Sequence, residues 1–343
     1  MREGKKRTDP YVSLQKHLDN QPIGFPATSS KAEIKILKHI FSPLQAKIAC
    51  CMSHNPEPLE PIYQRAGHLS DSSETLEKEL ARMLKKGGIE ICKRRGKILY
   101  ANTPLVVGMY ELQLERLTSE FMADFSEYSS DKQFGLAFLG TRHSQLRTVP
   151  VNKSIKIPTG IAPYNDVKKI LHAAKGPFVI VACICRKKHA INGEPCKMTS
   201  RKETCLAMGD FAHSALGLDT GRQISRQEAL EIIDQNQKDG LVIQPGNAQK
   251  PDFICSCCSC CCGMLNIQKS LPRPVSFWSS GYQASIDAGL CTGCGICAKR
   301  CQVAAIDFVP LPKYRKTSRK RPAAKVNLHR CIGCGQCVSK CPA

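Results

Sequence analysis

Apolar residues first settle into a helical rhythm after Lys31, where Ile34, Ile36, Leu37, Ile40 and Phe41 form one stripe, the three-to-four spacing of a half-buried helix. Ser42-Pro43 follows as an N-cap and first-turn proline, opening a second helix. A third is predicted over Pro58 to Ala66. Asp71 with Glu74 gives a capping-box-like start to a fourth, whose Leu76, Leu80, Met83 and Leu84 share a face until Gly87-Gly88 stops it. The period then drops to two, and IEIC and KILYA predict short strands around the turn Lys93-Arg94-Arg95-Gly96. Val106 to Tyr128 continues amphipathic, whereas Ser129 to Ser154 is polar and reads as a connecting loop. A new unit is expected near Pro158, with a helix around Asn165 to Ala174, the break Gly176-Pro177, and then FVIVACIC, an apolar run of strand length. In that reading Cys183 and Cys185 end the strand on one side, because side chains two apart share a face. Ser225 with Glu228 caps a further helix through Leu230, Ile232 and Ile233 to Gly240.

Helices that end in a two-stranded wing resemble a winged-helix domain. The fold class expected is therefore α+β, with a winged-helix-like N-terminal domain, a cysteine-rich α/β middle domain and a ferredoxin-like dicluster C-terminal domain. The boundaries read as an N-terminal extension over 1–30, the winged-helix-like domain over 31–105, a helical and polar linker over 106–155, the cysteine-rich domain over 156–270 and the dicluster domain over 280–343.

Cysteine changes the picture. Of the 21 in 343 residues, Cys50, Cys51 and Cys92 are read as small apolar core residues. The others crowd into two regions. Cys183, Cys185, Cys196 and Cys205 precede the run ICSCCSCCC, which holds Cys255, Cys257, Cys258, Cys260, Cys261 and Cys262. Successive side chains such as those of Cys260, Cys261 and Cys262 cannot all enter one core, so ligation is the expectation. These ten exceed the four thiolates of one cubane, match no single spacing, and leave a further iron–sulfur cluster, zinc or a thiol redox site open. His189 and His329 lie near cysteines and are read as solvated.

The second region is a duplication. CTGCGICAKRC at Cys291 to Cys301 and CIGCGQCVSKC at Cys331 to Cys341 share one cysteine spacing. Three thiolates fall on a tight turn, where Gly293 and Gly295 let backbone amides approach, and the fourth points away. Such runs resemble bacterial-type dicluster ferredoxins. The resemblance covers Tyr282 to Ala343 and implies two 4Fe-4S clusters, one on Cys291, Cys294, Cys297 and Cys341, the other on Cys331, Cys334, Cys337 and Cys301. Gln302 stands where the family places a proline, and Pro342-Ala343 ends the sequence where ferredoxins continue into a strand, which predicts greater exposure at Cys341. The basic stretch KYRKTSRKRPAAK, Lys313 to Lys325, separates the repeats and is expected to be a solvated loop, with a docking surface for an acidic partner as the alternative. The whole order, with NQPIGFPAT, CICR and CSCCSCCC, resembles iron–sulfur proteins of anaerobes.

Charge and absent motifs narrow the function. Lys plus Arg exceeds Asp plus Glu by 50 − 29 = 21, and a surface so basic favours acidic protein partners or nucleic acid without choosing between them. Nucleic acid is disfavoured, because Glu74, Glu77 and Glu79 crowd the helix that would enter a groove, although Lys93, Arg94, Arg95 and Lys97 could touch phosphates. The N-terminus lacks the apolar core of a secretory signal, and no run approaches the ~20 apolar residues of a membrane span; a cytoplasmic location is expected. No phosphate-binding loop, dinucleotide fingerprint, HExxH or haem-attachment motif occurs. The expectation is an iron–sulfur electron-transfer protein, more an electron carrier or oxidoreductase component than a stand-alone enzyme. The alternatives are a redox-sensing regulator using the winged helix and the iron–sulfur subunit of a reductase.

Overall fold

The computed structural model describes residues 8–141, 144–150, 166–278, 280–309 and 322–343. The chain divides into two compact units, Met1–Arg142 with Gly209–Arg222, and His143–Met208 with Gln223–Ala343. The expected domain start at Pro158 and most of the stretch Lys313 to Lys325 lie outside the described residues.

The first unit begins with helices α1 (Pro10–Asp19), α2 (Ala32–Ile40), α3 (Pro43–Ala49), α4 (Leu59–Ala66) and α5 (Ser73–Lys85). Ser42 and Gln45 close a full capping box on α3, as the serine–proline pair predicts. The cap of α5 is Ser72, whose hydroxyl accepts from the Thr75 amide. The predicted cap at Asp71 is thus one residue early, in a run of hydroxyl residues where either neighbour offers an oxygen. Strands β1 (Ile89–Arg94) and β2 (Lys97–Asn102) pair antiparallel with Arg94 opposite Lys97. Between them Arg95 and Gly96 both have positive φ, 50° and 78°, the two-residue turn whose twist matches a hairpin. The predicted stripes enter one core: Ile36, Leu37, Ile40, Leu76, Leu80 and Met83 are wholly buried.

Beyond the hairpin the structure departs from the sequence reading. The amphipathic pattern after Val106 becomes a regular helix only at Ser119, in α6 (Ser119–Ser129). Residues expected to form a loop contain α7 (Lys132–Leu139), capped by Asp131 and anchored by buried Phe134 and Phe138. Two aromatics four apart supplied an apolar face that the surrounding polar residues masked.

The second unit continues with α8 (Val167–Ala173), β3 (Phe178–Ala182), α9 (Ile184–Ile191) and β4 (Glu203–Met208). The helix α10 (Gly209–Gly217) belongs to the first unit, where Ser214 Oγ accepts from the Ile91 amide of β1. There follow β5 (Gly221–Ile224), α11 (Arg226–Lys238), β6 (Val242–Pro245), β7 (Phe253–Cys257), α12 (Gly263–Ser270), α13 (Ile296–Arg300), β8 (Ile306–Val309) and β9 (Ala323–Val326). Ser225 caps α11 by accepting from the Glu228 amide. Strand β3 ends at Ala182, and Cys183 is the N-cap of α9. Cys183 and Cys185 therefore do not share a strand face; the polar run Arg186-Lys187-Lys188 takes the backbone into a helix once the apolar stretch ends.

Five strands form one sheet in the order β5-β3-β4-β7-β6. Its period-two alternation gives it two different faces. Phe178, Ile180, Leu206, Met208, Ile243 and Ile254 pack with Ile170 and Leu171 of α8 and Ile233 of α11. The opposite positions include Val242 and Cys257, which pack with Cys262, Leu265, Val303, Ala305, Cys331 and Ile332. Residues of the cysteine-rich region and of the duplicated tail thus share one core. Two arginines fasten that tail, Arg300 just before the fourth cysteine of the first run and Arg330 just before the first cysteine of the second. Arg300 donates to the carbonyls of Gln237 and Lys238 at the end of α11. Arg330 donates to those of Lys269 and Leu271 at the end of α12, where a cation suits the helix dipole and the open carbonyls. Among the described residues no helix is long and apolar enough to cross a membrane.

Candidate metal centres

In the tail, the two loops repeat one backbone conformation. Gly293 and Gly295 have φ of 69° and 79°, and Gly333 and Gly335 have 66° and 72°, values that favour residues without Cβ. A Cβ on Gly333 would also collide with the Tyr282 carbonyl and the Ser280 hydroxyl. Cys291, Cys294, Cys297 and Cys341 all line one cavity, which Cys337 also borders. Cys301 lies with the other loop, where its charge acts on Cys334 and Cys337 together with that of Cys331. Cys341 thus stands near the three cysteines of the first loop, and Cys301 near those of the second. Burial foremost pushes the Cys334 thiol up to about 12 and that of Cys337 up to about 11. Cys294 and Cys341 are exposed, whereas Cys331 is buried.

The ten cysteines of the middle region separate into two sets. Cys205 and Cys255 are neighbours across β4 and β7, next to the pair Leu206 and Ile254. Cys257 is two positions along the same face, Cys183 caps α9, and Cys262 caps α12. Thiol hydrogen bonds link Cys183 to Cys185 and Cys205, Cys205 to Cys255, Cys255 to Cys257, Cys257 to Cys262, and Cys262 back to Cys185. These contacts close a ring of six. The thiols of Cys183 and Cys255, then the Arg186 charge and the Ser256 amide, hold Cys205 well below the usual thiol range despite its burial. Cys262 is depressed likewise by the thiols of Cys185 and Cys257 and by the amides of Leu265 and Met264 at the start of α12. Their donors shift the other way: Cys183 and Cys257 are raised by hydrogen bonding to neighbouring thiols, with burial adding to it.

The second set is Cys196, Cys258, Cys260 and Cys261. Its sulfurs are separated by 3.6 Å (Cys196–Cys258), 3.8 Å (Cys196–Cys260), 3.4 Å (Cys258–Cys260) and 3.7 Å (Cys260–Cys261). Among the described residues it is the one group of three or more potential ligands whose atoms all lie within 4.8 Å of one another. Three of the four come from the turn after β7, where the amides of Cys261 and Cys262 bond the Cys258 carbonyl. The fourth comes from the loop after α9. Leu241 and Met198 pack around the set. Burial above all pushes the Cys258 thiol up to about 12. In Cys196 burial is outweighed by the amides of Met198 and Thr199 and the thiols of Cys258 and Cys260, which lower it.

Arg186 stands between the two sets. It is 6% exposed, donates to the Ser256 carbonyl, to Thr204 Oγ1 and to Cys258 Sγ, and feels the charges of Cys183, Cys205 and Cys258. Burial alone would lower its pKa, and the thiols more than reverse that. Two glutamines join the tail to the same neighbourhood. Gln302 accepts from the Ser259 amide, 2.9 Å, and Gln336 donates to the Leu241 carbonyl, 2.7 Å. The sequence reading missed all three. The arginine of CICR was the one signal for Arg186, and Gln302 was visible only as a missing proline. His189 faces Glu194 at 3.3 Å, and neither it nor His329 joins the compact thiol set.

Residues 290–343 match the family model of the 4Fe-4S dicluster domain. Comparison with curated proteins and with solved structures finds no match. The chain therefore carries a 4Fe-4S dicluster domain in its tail, preceded by a cysteine-rich region with metal-binding geometry.

Proposed function

We propose that this protein is an iron–sulfur electron carrier, or the electron-transferring component of an oxidoreductase. One 4Fe-4S cluster is held by Cys291, Cys294, Cys297 and Cys341, the other by Cys331, Cys334, Cys337 and Cys301. The observation that carries the reading is the dicluster family match over 290–343, with Cys341 beside Cys291, Cys294 and Cys297 and Cys301 beside Cys334 supporting an exchange of ligands between the loops. Four soft thiolates per site, with inward amides beside positive-φ glycines, suit that group, and such clusters supply one-electron oxidation and reduction when bound. The six-thiol ring supports a further iron–sulfur cluster. Among the described residues no three of its sulfurs all lie within 4.8 Å of one another, an arrangement more open than a single ion needs.

The order of these thiol sets gives the residues a division of labour. Exposed Cys294 and Cys341 mark the end open to a partner. Cys331 shares its core with Cys257 and Cys262 of the ring, so Val242, Leu265 and Ile332 keep water from the inner pair. The formal charge of +21 supports a partner with an acidic face. The helices and hairpin of the first unit suit a winged-helix arrangement used for docking. Glu79 of α5 already pairs with Arg82 and accepts from Gln45, a poor surface for a polyanion.

The test is iron, acid-labile sulfide and EPR on anaerobically purified full-length protein. Two tail clusters require about eight irons, and a loaded ring takes the total higher. Cys301→Ser should alter the signal of the cluster on the Cys331 loop and leave the one on its own loop. Protein containing zinc and no reducible paramagnetic centre sinks the reading.

A further inference from the structure

We propose that Cys196, Cys258, Cys260 and Cys261 form a mononuclear metal site, holding one thiophilic ion, zinc or iron, in a closed tetrahedron of four thiolates. The site is separate from every iron–sulfur cluster of the chain, and its existence does not depend on the electron-carrier reading.

Distance decides between an ion and a cluster. A metal about 2.3 Å from each of four sulfurs in a tetrahedron sets them about 3.8 Å apart. Four of the six edges, at 3.4, 3.6, 3.7 and 3.8 Å, match that length, and all four sulfurs lie within 4.8 Å of one another. A cubane needs its thiolates roughly 6 Å apart, because four irons stand between them. Among the described residues no three tail cysteines have sulfurs that all lie within 4.8 Å of one another, which serves as the internal contrast. Four sulfur donors and no nitrogen or oxygen select zinc or iron over harder ions.

The surroundings are those of a closed site. Cys258 is 0% and Cys261 4% exposed, Cys196 and Cys260 are half-buried, and Leu241 and Met198 wall the group; four sulfurs already fill a tetrahedral shell. An ion of charge +2 on four thiolates leaves two negative charges in a buried place, which requires compensation. Arg186 supplies a guanidinium against Cys258, and the Met198 amide meets Cys196 at 3.5 Å. The loop bearing Cys196 is itself pinned, since Thr199 Oγ1 and Arg201 donate to Asp239 at 2.7–2.9 Å. On binding, each thiol loses its proton to solvent and no electron moves. The ion cross-links the turn after β7 to a loop some sixty residues earlier. With zinc the site is a staple; with iron it is also a one-electron centre.

Metal and acid-labile sulfide are measured on anaerobic full-length protein and on the double variant Cys196→Ser, Cys260→Ser. The variant should lose one metal ion per chain and no sulfide, and the EPR of the tail clusters should persist. Loss of about four irons with about four sulfides marks a cubane there and overturns the proposal, as does an unchanged metal content. Should the variant fail to fold, the unmodified protein decides. X-ray absorption showing zinc with four sulfurs near ~2.3 Å, or a Mössbauer component from a single iron with four sulfurs, upholds the site. Protein with neither zinc nor such a component refutes it. These readouts leave the eight-iron test of the tail untouched, so the two readings fail separately.

Discussion

Arg186 is the residue on which the sulfur-rich region turns. A guanidinium buried to 6% exposure needs an anion, and among the described residues no carboxylate pairs with it; thiols surround it instead. Arg186→Gln removes that charge while the sulfurs remain, and breaking a buried pair of this kind costs about 3–5 kcal/mol. Anaerobic urea unfolding of the second unit should show a lowered midpoint of that size. Arg186→Lys should not rescue it, because two nitrogens of the planar fork reach the Ser256 carbonyl while one also meets Thr204. None of this was legible beforehand: an arginine after a cysteine is a surface residue by default. The dicluster tail was legible because its cysteines recur at one fixed short spacing. The middle ones were not, since Cys196 finds Cys258 62 positions away and a strand-to-helix change at Cys183 reorders the faces.

At the scale of elements, the loop over Cys196 to Arg201 is held by the last turn of α11. Asp239 accepts there from Thr199 and Arg201, and although burial pulls the other way these bonds, with that of Gln235, hold its carboxyl below the ordinary range. Its folded pKa lies under the unfolded value of about 3.9, so its stabilisation is full above that pH and fades as pH falls through the folded value. Asp239→Asn should loosen the loop without touching a thiol. Metal loss from the compact set to a competing chelator should rise on the order of tenfold, the scale expected when a ligand's support is removed. Caps at Ser42 and Ser225 were readable because a first-turn proline follows the one and a glutamate stands three residues after the other. α7 was not, because Phe134 and Phe138 alone carry its buried face.

At the scale of the molecule, the two units draw on different sources of stability. The first rests on an apolar core built from the stripes of α2 and α5. The second puts Cys257, Cys262 and Cys331 into a core with Val242, Leu265 and Ile332, so under the proposed ligation its folding free energy would include that of metal binding. Anaerobic stripping with iron and zinc chelators should abolish amide protection in 253–270 and 323–332. Protection in α2 and α5 should survive, and hydrogen exchange with mass spectrometry reads both. Equal loss in both units would contradict this division.

The shared core of tail and sheet also limits what can be transplanted. Cut free before Ser280, the ferredoxin-like end would carry Val303, Ala305 and Ile332 bare into water, and the stump would show Val242 and Leu265 as a greasy scar. Neither half would behave as a clean cartridge. Whatever selects the redox properties of this tail must therefore act on the sheet beneath it as well.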